Sequence, residues 1–179
     1  MTDFWKIRST QRFDNPIQYN NLTPNATEAI AKYNLESEFI KSKLSSNYYS
    51  KVLDLGSGNG QWFSLLEPLC HEYHCVDPYI SPTPQILTNP KVTYSKIDCV
   101  DFTTSLKFDL IFISGLILYL SDDSLDKLFL NISNFVHSGS TVFMREPLGI
   151  KGRFVLNNHF SQELDSYYSA TYRSLSEYI

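Results

Sequence analysis

Val52-Leu53-Asp54-Leu55-Gly56-Ser57-Gly58-Asn59-Gly60 is the stretch that decides how this chain folds. An apolar run leads into a glycine turn, and residues at helical spacing follow from Trp62. Glycine reaches positive φ without steric cost and lets a ligand approach the backbone. A turn at the carboxyl end of a buried strand is where open α/β sheets bind ligands. The spacing is GxGxG. A dinucleotide fingerprint needs its third glycine one position later, where this chain has Gln61. A phosphate-binding P-loop needs Gly-Lys-Ser/Thr, which is absent. Asp54 could order the loop by accepting backbone N–H bonds, or it could meet a cationic ligand. An ordinary glycine-rich connection is the plain alternative.

Strands and helices alternate outward from this point. Thr23 caps an expected helix with Pro24 at its first position, and Ile30, Tyr33, Phe39, Ile40 and Leu44 give it an apolar face. Lys51 to Leu55 is the first strand, and Trp62 to Cys70 is the next helix, limited or bent by Pro68. Tyr73 to Asp77 is a second strand. Pro78, Pro82, Pro84 and Pro90 then argue against a regular crossover helix. Val92 to Ile97 is the third strand. Phe108 to Ser114 is the fourth, apolar enough to be buried on both faces. Ser121 caps a helix that opens on Asp122 and Asp123 and buries Leu125, Leu128, Phe129, Ile132, Phe135 and Val136. Ser140 to Met144 is the fifth strand. This order predicts an α/β fold with a Rossmann-like, doubly wound and mostly parallel sheet, helices lying on both faces.

The glycine string resembles motif I of the class I S-adenosylmethionine-dependent methyltransferases. Asp77, Asp98 and the Phe108–Ser114 strand fall in the order that family shows. The resemblance covers about residues 50 to 147. It implies S-adenosylmethionine as cofactor and S-adenosylhomocysteine as product. It associates Asp54 with the methionine end of the cofactor, which lies against Gly56, Ser57, Gly58 and Gly60. Asp77, with Pro78 beside it, would bind the ribose hydroxyls, and Tyr79 would lie on the adenine face. A strand-end Asp capping a turn is the plain reading of Asp77. Asp98 would accept from the adenine amino group and the Cys99 N–H would read the ring, with Asp101 as a competitor. Ser114 and Gly115 would pass the methionine part. Asp109, at the start of the same strand, reads as structural. Tyr119 stands where many relatives have a histidine, which counts against a histidine base there.

The acceptor side is less legible. Arg145, after the fifth strand, could grip a carboxylate or phosphate, and His159 could act as a base. Tyr119 completes the weak catalytic candidates. Phe4, Trp5 and Tyr19 could form a lid over the cofactor or a simple apolar patch, and Phe13 lies in the same aromatic N-terminal segment. The expected organisation is one domain. Residues 1–46 form a lid or helical segment, 47–147 the cofactor-binding core and 148–179 an acceptor-side segment. Residues after Pro147 read as mostly helical or irregular, so the family's C-terminal β-hairpin is expected to be missing or shortened. That would leave strand five as a bare edge, so that the chain is truncated, is a shortened relative of the family, or has that edge covered by a second copy or a partner subunit.

Composition narrows the function. A net charge of −4 without a Lys/Arg cluster argues against nucleic acid as a partner. Three cysteines, none in CxxC, argue against a disulfide framework and for a reducing compartment, the cytoplasm by default. No signal peptide or membrane span is expected, and no metal site is evident. The leading expectation is methyl transfer to O or N of a small molecule, such as a sugar or natural-product precursor. A non-catalytic methyltransferase-fold binding module is the alternative, and a nicotinamide-dependent oxidoreductase is disfavoured by the glycine spacing.

Overall fold

The computed structural model describes residues 3–10, 25–79, 82–162 and 165–179. Its centre is a five-stranded parallel sheet of order β3-β2-β1-β4-β5. The strands are β1 (Tyr49–Leu55), β2 (Cys70–Val76), β3 (Val92–Ser95), β4 (Leu110–Ser114) and β5 (Thr141–Arg145). The apolar run that opens the chain's decisive motif becomes β1, at the middle of the sheet. Val52, Leu53 and Leu55 are fully buried there, as are Leu110 to Ile113 of β4.

Strand alternation splits these residues between two cores. Val52, Leu110 and Phe112 face one side, packed with Ile40 and Leu44 of helix α2 (Ala26–Leu44). Leu53, Leu55, Ile111 and Ile113 face the other, packed with Leu125, Leu128 and Ile132 of α5 (Asp122–Ser133). Helices therefore cover both faces, as the alternating pattern requires. The Ser121 side chain caps α5 by accepting from Ser124 N, and Asp122 and Asp123 sit in its first turn, as expected.

Several expectations are corrected. Helix α2 begins at Ala26, with the Asn25 side chain accepting from Thr27 N and Glu28 N. The expected cap Thr23 and first residue Pro24 lie outside the described residues, as do Phe13 and Tyr19. Phe39 is exposed rather than part of the inward face of α2. The helix after β1 is one turn, α3 (Phe63–Leu66), followed by a 3-10 turn at Glu67–Leu69 that contains Pro68. Proline disrupts a helix interior, so Cys70 already belongs to β2. Among its described residues, the proline-rich stretch holds a one-turn helix, α4 (Pro84–Leu87). At the N-terminus, α1 spans Asp3–Arg8.

The largest difference follows β5. The residues expected to be helical or irregular form an antiparallel hairpin of β6 (Phe154–Ser161) and β7 (Ser166–Tyr172). It is a separate two-stranded sheet and makes no ladder with β5, which remains an edge among the described strands. A register shift between Leu156 and His159 accompanies Asn158 at φ 47°. The hairpin is anchored by Arg173, just after β7. Its buried guanidinium donates to the carbonyls of Ile117 and Leu120 and to Asp122 Oδ1. All three cysteines are free and buried. No helix among the described residues is long and apolar enough to cross a membrane.

Candidate functional site

The glycine turn at the end of β1 is built as its sequence requires. Gly56, Gly58 and Gly60 have φ of 74°, 55° and 80°, in the left-handed region that favours glycine. Gly56 N and Ser57 N both donate to Val76 O, which ties the turn to the end of β2. The next residue of that strand end, Asp77, accepts from Gly58 N at 3.1 Å and from Tyr79 N at 2.7 Å. Burial pushes the Asp77 carboxyl above the usual carboxylate range, against those two hydrogen bonds.

A cavity of about 260 Å³ opens in front of this arrangement. This is near the lower end of the roughly 300–1,000 Å³ typical of small-molecule pockets. Its floor is Gly56, Ser57 and Gly58, with Asp77, Pro78, Tyr79 and Cys99 along one side. Ser114, Gly115 and Leu116 form the opposite side at the end of β4. Tyr119, Arg145, Pro147 and Tyr172 continue the wall, and Trp5 and Lys32 close it from the N-terminal helices.

Three expected cofactor contacts lie off this wall. Asp54 is 2% exposed. Its Oδ2 accepts from the phenol of Tyr73 at 2.5 Å, beneath the turn. Burial pushes its pKa up to about 7; the Tyr73 hydrogen bond opposes this and nearby Asp77 adds to it. Gly60 is a packing position, since a Cβ there would lie 2.0 Å from Ile86 Cδ1 of α4. Asp98 accepts from Val100 N and borders a second, open cleft with Ser121 and Lys127. Its competitor Asp101 is exposed and paired with Lys127 at 2.8 Å.

On the acceptor side the fold brings Tyr119 and Arg145 together in the wall and leaves His159 outside it, exposed on β6. Burial holds the Tyr119 phenol far above its ordinary range, and burial pushes Tyr172 up to about 12. Both are therefore proton-bearing donors at neutral pH. Arg145 Nη2 donates to Glu36 Oε1 on α2. Glu146 is half-buried, and its Oε1 accepts from Leu116 N at 2.9 Å and Ile117 N at 3.1 Å. It thereby fixes the loop after β4 against the end of β5.

Sequence reasoning missed Lys32, Glu36, Gln61 and Trp62. The Trp62 indole N–H donates to Ser114 Oγ at 3.1 Å, and its ring stacks on Tyr33 with centroids 5.1 Å apart. An aromatic directly after the glycine turn was the available signal for Trp62. Nothing local marks Lys32 or Glu36, because their relevance comes from α2 lying across the sheet end.

Among solved structures, the chain resembles the complex of DhpI with S-adenosylhomocysteine. That match has a TM-score of 0.66 at 17% identity and covers 98% of this chain and 80% of that one. The fold is that of the class I S-adenosylmethionine-dependent methyltransferases. The N-methyltransferase NodS of Bradyrhizobium japonicum, in complex with S-adenosylhomocysteine, shares this methyltransferase fold at a TM-score of 0.60 and 15% identity, covering 97% of each chain. Phosphoethanolamine N-methyltransferase 1 of Haemonchus contortus, in complex with phosphoethanolamine and S-adenosylhomocysteine, gives 0.76 at 20% identity. There the match covers 98% of this chain and 37% of that one. No protein-family model and no curated sequence matches the chain.

The residues present suit the cofactor of that fold. The turn offers the small residues Gly56, Ser57 and Gly58 to the cavity, and Asp77 uses two acceptor sites while a carboxylate offers about four. Gln61 Oε1, in the cavity-lining residue next to the turn, is buried with no partner among the described residues.

Proposed function

We propose that the chain is an S-adenosylmethionine-dependent methyltransferase acting on a small-molecule acceptor. The observation that carries this reading is Asp77: a half-buried carboxylate at the end of β2, in the wall of the cavity and bonded across to Gly58. In this reading its free acceptor sites take the ribose hydroxyls. Pro78 and Tyr79 flank the ribose and adenine, Cys99 serves the adenine edge with Asp98 beside it ordering the loop through Val100 N, and Ser114 and Gly115 pass the methionine part. Asp54 acts from below, setting the turn through the β1–β2 interior.

S-adenosylmethionine, when bound, supplies a methyl group on a sulfonium centre for direct displacement. The chain's own task is then alignment, and holding two reactants in line can lower a barrier by roughly 7–11 kcal/mol. Tyr119, Tyr172 and Trp5 enclose the acceptor end and exclude water. A base is needed only where the acceptor must lose a proton, and no histidine lines the cavity. This favours an acceptor that reacts as a free amine. Residues 1–46 act as the lid, 47–147 as the cofactor core and 148–179 as the acceptor-side segment.

A second reading is a methyltransferase-fold subunit without its own turnover. It is favoured by the edge strand β5, which could take up a strand from a second copy or a partner. Incubation with methyl-labelled S-adenosylmethionine and a panel of small amines and alcohols separates the two. Labelled product formed by the purified chain supports the enzyme. Cofactor binding with no transfer across the panel favours the subunit.

A further inference from the structure

Helix α2 presents one face to the acceptor end of the cavity. Lys32 and Glu36 are one turn apart, so their side chains share that face. Glu36 accepts from Arg145 Nη2, and Tyr33 between them stacks on Trp62. The face is thus fixed to the sheet by an ion pair and by an aromatic stack. Lys32 lines the cavity and makes no ion pair among the described residues.

The charges in the wall are separated. The acid, Asp77, lies at the end of β2, whereas the two cations, Lys32 and Arg145, lie on α2 and at the end of β5. Arg145 carries five donors in a planar fork, and Glu36 engages only Nη2. Nη1 lies beside Gly115, 3.7 Å from where a Cβ on that glycine would stand. A neutral acceptor would leave the remaining donors of the half-buried guanidinium to solvent, whereas an anionic group would meet them together with the exposed Lys32 ammonium. The protonated phenol of Tyr119 lies in the same wall, and Tyr172 is hydrogen-bonded to Tyr168 beside it.

We propose that the acceptor carries a phosphate or carboxylate group, held by Arg145 and Lys32 at the far end of the cavity from Asp77. Glu36 is a positioning residue in this arrangement: it sets the plane of the Arg145 fork and does not touch the anion. The inference rests on the methyltransferase reading, because it places the anion relative to a cofactor seated over the glycine turn.

The chain's two tryptophans, Trp5 and Trp62, both line the cavity, so intrinsic fluorescence reports on it directly. The experiment titrates the full chain, saturated with S-adenosylhomocysteine, with inorganic phosphate and separately with acetate at constant ionic strength. The expected result is a saturable change with one or both anions, and the anion that saturates names the group. Lys32→Ala, at an exposed position, is expected to fold and to raise the anion's apparent Kd at least tenfold while leaving the S-adenosylhomocysteine affinity within about threefold. Arg145→Lys keeps the charge, loses the fork and is expected to weaken the same anion at least tenfold. Intact S-adenosylhomocysteine binding with no saturable response to either anion, or with the same anion Kd in both variants, overturns this proposal alone. Absence of S-adenosylhomocysteine binding by the folded chain overturns the methyltransferase reading and this inference with it.

Discussion

Gly60 and Asp54 show residues of a glycine–acid motif serving the packing of the fold. At Gly60 a side chain meets two obstacles: a φ of 80° and an Ile86 methyl 2.0 Å from the new Cβ. Gly60→Ala is expected to cost about 1–3 kcal/mol by denaturant unfolding, as overpacking does. Gly139→Ala has strained φ but open space and should cost less. Asp54 predicts a pH effect. Its proton is held more tightly in the folded chain, with a pKa of about 7, than at the ordinary value of 3.8. Its contribution to stability is therefore full below 3.8 and is lost as pH rises through about 7. Asp54→Asn keeps an oxygen for the Tyr73 phenol and has no such proton to lose. Thermal midpoints measured from pH 4 to 8 should fall less in the variant than in the parent, and equal slopes would refute the assignment. His137, raised by the Ser138 carbonyl and by Asp109, also loses its contribution as pH rises, in both proteins alike. The acid of the motif was legible in the sequence. Its burial against Tyr73 was not, because that contact is set by the β1–β2 pairing of Asp54 with Cys75, two residues beyond Tyr73.

Among the elements, the C-terminal hairpin is held by chemistry rather than by a ladder. Arg173 is 2% exposed and joins the end of β7 to two carbonyls of the β4–α5 connection and to Asp122 at the start of α5. Asp122 also receives Arg153, which reaches Glu177 as well. Arg173→Met leaves two buried carbonyls without their donor and is expected to cost about 1–3 kcal/mol. Hydrogen exchange should show 154–172 losing protection before β1 and β4. Arg153→Met, on an exposed pair, should change stability by less than about 1 kcal/mol. The central strands were readable because β1 and β4 are apolar on both faces. The hairpin was not, because β6 alternates poorly and exposes Phe154, Val155 and Phe160. Ser166–Tyr172, rich in tyrosine and β-branched or small residues, carried a strand signal, but no partner for it was evident without the turn at Asp165, where φ is 46°. The helix after β1 was overextended for a simpler reason: apolar spacing continued through Pro68, and proline ended the helix.

For the whole molecule, the sheet builds the glycine-turn side of the cavity, and segments distant in sequence build the rest of its wall. The first is legible because strand, turn and acid follow one another within residues 52 to 77. The second depends on meetings no local pattern encodes: Glu36 with Arg145, Trp5 with Tyr119 at 5.2 Å, and Tyr33 with Trp62. A ligand that binds only the folded chain should stabilise it by about 2.7 kcal/mol at one hundred times its Kd, so S-adenosylhomocysteine should raise the unfolding midpoint. The most direct test of the central claim is calorimetric titration of the chain and of Asp77→Ala with S-adenosylhomocysteine, with circular dichroism showing that both are folded. The account predicts one micromolar site in the parent chain and its loss in the variant. A folded parent that binds nothing, or a variant that binds as tightly as the parent, would contradict it.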